Sequence, residues 1–123
     1  MGIEYGFEVR DGVLQVQAWG EDDSLEDVTG YGLAVIQAAR ANGCNRVLCE
    51  EQQLRYRLGT LDIHRSAAFM AEQAPDVARV AIVPPPEAAD DAHFWETVAV
   101  NRGLQVRMFR DPEQARAWVT QAG

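Results

Sequence analysis

The sequence predicts a small α/β domain, and three observations support that prediction. The chain has 123 residues, 47% of them hydrophobic, which suits one domain with a single core. Short runs typical of strands alternate with segments whose apolar residues recur at helical spacing. Their order is ββαβαβαβα, and such alternation predicts right-handed crossovers between parallel strands. We therefore expect residues 1–123 to form one domain, a mixed and mostly parallel five-stranded sheet with four helices on its faces.

The first two strands are predicted from a turn signal. Apolar residues fall into two short runs on either side of Asp11-Gly12, a dipeptide that favours a tight hairpin between strands. We assign the strands to Tyr5–Arg10 and Val13–Trp19. They should be antiparallel, with the first strand at an edge of the sheet.

The first helix is bounded by a capping residue and a stop signal. Ser24 can cap its first turn, and apolar residues recur at helical spacing as far as Asn42-Gly43. Gly30 and Gly32 imitate the beginning of a dinucleotide-binding fingerprint. Their separation from the preceding strand, and a valine in place of the third glycine, argue against that site. We expect tight packing or a helix irregularity at these glycines instead.

The middle of the chain is predicted to contain two strands and one helix. Arg46–Glu50 forms a short strand, and Gln52–Gly59 forms a polar connection. Thr60 can cap the second helix, which ends before Pro75. Val77–Val83 is an almost continuous apolar run, which is typical of a central strand covered on both faces.

The last third of the chain continues the same alternation. A third helix is predicted from Asp90 or Asp91 to Arg102, and Gly103 supplies its stop signal. Gln105–Phe109 is the fifth strand. Asp111 and Pro112 then begin a fourth helix, with the acid as its cap and the proline at its first position.

The composition excludes several classes of function. Nineteen acidic and eleven basic residues give a net charge of −8, which would repel nucleic acid and anionic membrane surfaces. All eleven basic residues are arginine, so the chain lacks the lysine that a P-loop or a Schiff base requires. We expect no nucleic-acid partner and no membrane insertion.

Cysteine spacing and the N-terminal segment lead to further expectations. Cys44 and Cys49 lie too close in sequence for an easy disulfide, so both are expected to be small buried residues. The chain has no CxxC motif, and His64 and His93 lie far apart, so we expect neither a metal nor a cofactor. Met1–Arg10 does not resemble a signal peptide, which leads us to expect a cytoplasmic protein.

Two acidic segments are candidate sites. The stretch Glu21–Asp27 lacks the spacing of a calcium loop, so a solvated, helix-capping acidic face is expected there. Glu50 and Glu51 follow a predicted interior strand, which places them at the carboxyl edge of the sheet, where ligands bind in open α/β folds. With His64 they form a candidate acid–base group. We favour the alternatives: a hydrogen-bonding or loop-anchoring role for the two acids, and a surface or packing role for His64.

Aromatic side chains indicate a candidate contact surface. Phe69 shares a side of the second helix with polar residues such as Asp62 and Gln73, so we expect it to be exposed and able to contact a partner. Tyr56, in the connection before this helix, is a second candidate contact residue.

The C-terminal block TVAVNRGLQVRMFRDPEQARAWV resembles the SpoIIAA-like proteins, a branch of the STAS-type fold. In that family a segment ending in phenylalanine is followed by an acid, an alanine and a tryptophan. The corresponding residues here are Phe109, Asp111, Ala115 and Trp118. The segments RVLCE and VARVAIV agree with the family in element order.

The resemblance implies a regulatory or ligand-sensing domain rather than an enzyme. In anti-anti-sigma members a serine at the start of the helix after the third strand is phosphorylated, and the phosphate controls partner binding. The matching region here is Gly59–Asp62, where Thr60 is the nearest hydroxyl and the usual Asp-Ser-Ser/Thr-Gly pattern is missing. The resemblance also implies a second role, in which a lipophilic molecule is held between sheet and helices, as in some relatives.

Two hypotheses follow for the function. The first is a non-enzymatic interaction module, expected to be a homodimer and to meet a regulatory protein partner through the second helix and its preceding loop. The second is a carrier or sensor of a small lipophilic ligand, lined by Tyr56, Met70, Phe94 and Trp95. The candidate partner- or ligand-contact residues are Glu50, Tyr56, Thr60, His64, Phe69 and Trp95, and Thr60 is also a candidate phosphorylation site.

Overall fold

A five-stranded sheet with four helices makes up the part of the chain that the structure describes. The computed structural model describes residues 2–122. The strands are β1 (Ile3–Arg10), β2 (Val13–Asp22), β3 (Arg46–Tyr56), β4 (Arg79–Val83) and β5 (Val106–Met108). The helices are α1 (Leu25–Ala41), α2 (Thr60–Gln73), α3 (Ala89–Asn101) and α4 (Pro112–Thr120), with a 3-10 turn over Pro86–Ala88. The predicted order ββαβαβαβα is confirmed.

The strands lie in the sheet in the order in which they occur in the chain, β1-β2-β3-β4-β5. β1 pairs antiparallel with β2, and β2 to β5 are parallel to one another. Each of the three crossovers advances by one strand in the same direction, so right-handed connections place α1, α2 and α3 on one face. α4 follows the last strand and packs on the opposite face, against β3 and β4.

Local turn and capping chemistry confirms several predicted boundaries. Asp11 and Gly12 have positive φ angles, 54° and 75°, as a tight hairpin turn requires. Ser24 accepts a hydrogen bond of 3.1 Å from the backbone N–H of Asp27 at the start of α1. Asp111 caps α4 in the same way.

The core lies in two layers, one on each side of the sheet. This division follows from strand geometry, because successive side chains point to opposite faces. The larger layer lies between the sheet and α1, α2 and α3, and it includes Leu14, Val16, Val47 and Cys49. The smaller layer lies between the sheet and α4, and its buried residues are Val13, Leu48, Ala81, Val83, Ala115 and Val119. Strand β4 is therefore covered on both faces, as its apolar sequence predicts.

The largest departure from the predicted fold is the length of β3. The sequence analysis ends this strand at Glu50 and assigns Gln52–Gly59 to a polar connection, but β3 continues to Tyr56. Between Gln17 and Trp19 of β2, the pairing with β3 shifts by one residue, so β3 contains a bulge. The extra residue interrupts the two-residue period of buried side chains, which is why the second half of β3 does not look like a strand in sequence.

Smaller corrections concern the ends of other elements. Thr60 is the first residue of α2 rather than its cap, because Gly59 occupies the cap position and no side chain caps the helix. β4 begins at Arg79 and not at Val77. α3 begins at Ala89, directly after the 3-10 turn.

The cysteines and the helix lengths bear on two further expectations. Cys44 and Cys49 are buried free thiols, as expected for small core residues. Within residues 2–122, no helix combines the length and the apolar character needed to cross a membrane.

Candidate functional site

A cavity of about 120 Å³ lies between the sheet and the helices that cover its larger core layer. Most of its wall is apolar and includes Val35, Ile36, Leu54, Ile63, Met70 and Ile82. Asp91 of α3 is also part of the wall and is exposed, so the cavity reaches the surface there. A cavity of about 150 Å³ in another protein accommodates benzene. The space therefore suits one small ring or a short chain.

One carboxyl group is buried in the wall of this apolar cavity. Glu51 of β3 has only 6% of its surface exposed. The Tyr31 hydroxyl of α1 donates to Glu51 Oε2 at 2.9 Å, and the Tyr56 hydroxyl donates to Oε1. A carboxylate offers about four lone-pair sites, so Glu51 keeps acceptor capacity beyond these two bonds.

The bulge in β3 brings Glu51 and Tyr56 to the same face. Residues an odd number of positions apart point to opposite faces of a regular strand, and Tyr56 follows Glu51 by five positions. The extra residue of the bulge changes this relation, so that Glu51, Leu54 and Tyr56 all face the cavity. A regular strand would place Gln53 and Arg55 there instead.

Burial raises the pKa values of two acids at this end of the cavity. Desolvation raises the pKa of Glu51, against the lowering effect of hydrogen bonds from Tyr56 and Tyr31, and the charge of Asp22 raises it further. Desolvation also raises the pKa of Asp22 to about 6, although the backbone N–H of Arg57 donates to its carboxylate. A positive charge nearby would favour the ionised form of both groups.

Helix α2 forms the side of the cavity opposite the sheet and packs mainly against α1 and α3. Gly32 of α1 permits this approach, because a Cβ at that position would collide with Sδ of Met70. The tight packing expected at Gly32 is thereby confirmed. On the other side of α2, Trp95 of α3 donates through Nε1 to Ser66 Oγ at 2.9 Å. Ser66 in turn donates to the Ile63 carbonyl oxygen at 3.0 Å.

Several residues singled out in the sequence meet at the cavity. Tyr56, Met70 and Trp95 line it, as the lipophilic-ligand hypothesis expects. Phe94, also expected to line it, does not belong to the described cavity wall. Its ring packs against His64, with 6.5 Å between the ring centroids. His64 is half-buried between α2 and α3, which agrees with the packing role that we favoured.

The side chains of Glu50 and Glu51 do not face the same side of the sheet. They lie within β3 rather than at the carboxyl edge of the sheet, and neighbouring residues of a strand point to opposite faces. Glu50 accepts a hydrogen bond of 2.7 Å from Gln17 Nε2 on the face away from the cavity. Glu50 and Glu51 therefore do not form an acid–base pair around one space, and Glu50 has the hydrogen-bonding role that we favour.

Phe69 and Thr60 lie on different parts of α2, and only Phe69 departs from the exposure expected for it. Phe69 is half-buried against the larger core layer, so the exposed position expected for it is wrong. It lies one turn after Ser66, on the side of α2 that α3 covers. Thr60 is exposed at the start of α2, where the neighbouring Leu61 is 62% exposed.

Two residues of the site were missed in the sequence. Tyr31 lies three positions after Val28 and four before Val35, so the helical period of α1 alone indicates that it is buried. Asp22 is expected from the sequence on a solvated acidic face, and that expectation is wrong, because the residue is only 7% exposed. It is buried because β2 continues three residues beyond Trp19 and carries Asp22 to the edge of the cavity.

The sheet order and helix placement define a SpoIIAA-like fold. A crystal structure of an uncharacterised protein of the DUF3478 family with a SpoIIAA-like fold, from Shewanella loihica PV-4, superposes on the chain with a TM-score of 0.61. The two sequences are 18% identical, and the alignment covers 96% of this chain and 94% of that chain. No protein-family profile and no curated protein matches the chain. The fold that the sequence resemblance implies is thus confirmed.

Proposed function

We propose that the chain is a ligand-binding module, a carrier or sensor that holds a small and mostly apolar molecule between the sheet and the helices. The observation that carries this proposal is the position of Glu51, a carboxyl group 6% exposed in an otherwise mostly apolar cavity wall. An apolar pocket with a few convergent polar groups and a perturbed titratable residue is the usual form of a small-molecule site.

The residues of the wall support binding rather than dense packing. Ser66 and Ala74 are small residues of the cavity wall, at positions where larger side chains would fill the space. A cavity of this volume costs on the order of 2–3 kcal/mol relative to a filled core. Burial of a carboxyl group costs more free energy still. A ligand that fills the cavity and hydrogen-bonds to Glu51 would offset part of both free-energy costs, that of the empty cavity and that of the buried carboxyl group.

The position of α2 supports a sensing role. A ligand in the cavity touches the inner side of α2, and this helix is held mainly by α1 and α3. Its exposed start carries Thr60 and Leu61, in the region that the sequence resemblance matches to the phosphorylated helix start of anti-anti-sigma proteins. Occupancy of the cavity would therefore change the surface that α2 offers to a protein partner. The exposed Leu61 favours such an interaction role as the second candidate function.

The environment of Glu51 favours binding over catalysis. Its hydrogen-bond partners are Tyr31 and Tyr56, and desolvation raises the pKa of each phenol well above its usual value. Both hydroxyls therefore stay protonated and act as donors that hold the carboxyl group in place. We propose a non-enzymatic module on this ground.

Calorimetric titration with toluene, together with native mass spectrometry of freshly purified protein, tests the proposal. Val35→Phe introduces a larger side chain that fills the cavity from α1. Val100→Phe is the matched control, because Val100 of α3 is 48% exposed. We expect toluene to bind the wild type and Val100→Phe equally, and Val35→Phe at least about tenfold more weakly. Circular dichroism establishes that both variants fold. Absence of toluene binding to the wild type, or equal binding to both variants, would contradict the proposal.

A further inference from the structure

We infer that the ligand of this cavity is an apolar molecule with one cationic head group, an amine about the size of benzylamine, whose nitrogen meets Glu51. The inference rests on the proposed function and adds the chemical class of the ligand. It follows from the charge, the aromatic content and the hydrogen-bonding capacity of the cavity wall.

The charged side chains in the described wall of the cavity are all acidic. They are Asp22, Glu51 and Asp91, while the rest of the wall is uncharged. An anionic ligand such as a fatty acid would place like charges side by side in a desolvated space, which is strongly unfavourable. A cation would instead compensate the burial of Glu51.

The surroundings of Glu51 suit an ammonium group in two further ways. Tyr31 and Tyr56 each donate one hydrogen bond to the carboxylate, so its remaining lone pairs can accept N–H donors from a ligand. The rings of these tyrosines and of Trp95 belong to the same wall. Aromatic faces attract cations, and this attraction strengthens when the cation is desolvated.

Three probes that share one ring distinguish the possibilities: benzylamine, benzyl alcohol and benzoate, each titrated into the wild type by calorimetry. We expect benzylamine to bind at least about tenfold more tightly than benzyl alcohol, since a charge-assisted hydrogen bond replaces a neutral one. Benzoate should bind most weakly. Glu51→Gln should abolish the preference for the amine and keep the affinity for benzyl alcohol. Glu50→Gln, on the other face of β3, should leave the whole series unchanged.

The outcomes separate this inference from the proposed function. If benzyl alcohol binds and benzylamine binds no better, the inference is overturned and the apolar ligand site remains. The inference is overturned as well if Glu51→Gln keeps the amine preference. If none of the three probes and no toluene binds, the proposed function itself fails.

A second and independent observation concerns the edge of the sheet that β1 forms. β1 is an edge strand whose residues 4–10 are all exposed, and Tyr5, Phe7 and Val9 form an apolar stripe on its helix-covered side. The two-residue turn makes Arg10 and Val13 a hydrogen-bonded pair, so even-numbered residues of β1 bond to β2. The N–H and C=O groups of the apolar residues therefore point outward.

The geometry points to a homodimer in which two β1 strands pair antiparallel about a twofold axis at Phe7. This register places Phe7 opposite Phe7 and Tyr5 opposite Val9, which are the residues with outward backbone groups. It also places Glu4 directly opposite the second copy's Arg10, twice by symmetry. Opposite charges in such cross-strand pairs stabilise a sheet. The second copy thus covers both the β1 edge and the apolar stripe.

Analytical ultracentrifugation tests this dimer. Phe7→Arg brings two like charges together at the axis and should convert the dimer to a monomer, whereas Leu61→Arg, the same kind of change on α2, should not. Glu4→Arg should weaken the dimer, and adding Arg10→Glu to it should restore the dimer. A wild type that stays monomeric at high concentration overturns the proposal, and so does a dimer that Phe7→Arg leaves intact.

Discussion

The Tyr56 hydroxyl donates a hydrogen bond to the Glu51 carboxylate across an odd spacing of five residues within one strand. A regular strand would place these side chains on opposite faces, and the bulge in β3 places both on the cavity side. A buried acid and its donor therefore depend on one irregularity of the backbone.

The tyrosine hydroxyls should stabilise the fold through Glu51. Tyr31→Phe removes the donor to Oε2, and we expect a loss of about 1–2 kcal/mol in the free energy of unfolding, because a buried acceptor loses its partner. Denaturant titration measures the loss. Tyr5→Phe, on the exposed strand β1, is the matched control and should change the free energy little. Equal effects of the two variants would argue against the buried hydrogen bond.

The pH dependence of stability should carry the signature of Asp22. The folded state raises the pKa of this carboxyl from 3.8 to about 6. Its contribution to the free energy of unfolding is therefore fully present below about pH 4 and is lost as pH rises through 6. Asp22→Asn removes that loss. As pH rises from about 4 to 8, the free energy of unfolding of the variant should increase by about 1–3 kcal/mol relative to that of the wild type.

Asp76, whose pKa is shifted in the opposite direction, provides the control for that experiment. The hydrogen bond from Arg40 lowers the pKa of Asp76, so its contribution is present above the ordinary pKa and is lost as pH falls. Asp76→Asn should therefore flatten the acid side of the stability profile only. A profile for Asp22→Asn parallel to that of the wild type would show that Asp22 is not desolvated in solution.

The two glycines of α1 should respond differently to alanine. Gly30→Ala meets open space and should stabilise the protein by about 0.5–1 kcal/mol, since glycine is a poor helix former. Gly32→Ala should show no such gain, because its Cβ displaces the end of the Met70 side chain towards the cavity. Thermal unfolding compares them. A similar gain at both positions would contradict the close contact between α1 and α2.

The hydrogen bond between Trp95 and Ser66 should couple α3 to α2. In a double-mutant cycle with Trp95→Phe and Ser66→Ala, we expect a coupling energy of about 1 kcal/mol. Denaturant unfolding of the four proteins measures it. Additive effects of the two changes would mean that the indole N–H has no such partner in solution.

The element order could be predicted because local signals specify it. Asp11-Gly12 requires a turn, Ser24 and Asp111 cap helices, and the apolar run before Val83 indicates a covered strand. These signals involve residues close in sequence, so they can be seen without the tertiary structure. The fold resemblance rests on the same local pieces in the same order.

The candidate site could be predicted only in part. The sequence predicts Tyr56 and Trp95 as candidate ligand contacts, and both line the cavity. The role of Glu51 depends on the bulge, and the burial of Asp22 depends on the extension of β2 beside β3. Both are results of strand pairing, which a single sequence does not reveal. The exposed position expected for Phe69 is wrong for a similar reason, because α3 covers that side of α2.

A titration of ¹⁵N-labelled protein with toluene, followed by two-dimensional NMR, tests the central claim most directly. If the cavity binds the ligand, the Trp95 indole N–H and the backbone amides of cavity-wall residues on α1, α2 and β3 should shift together and saturate with one affinity. The amides of α4, on the other side of the sheet, should stay unchanged. Shifts confined to the exposed stripe of β1, or no shifts at saturating toluene, would contradict a ligand site between sheet and helices.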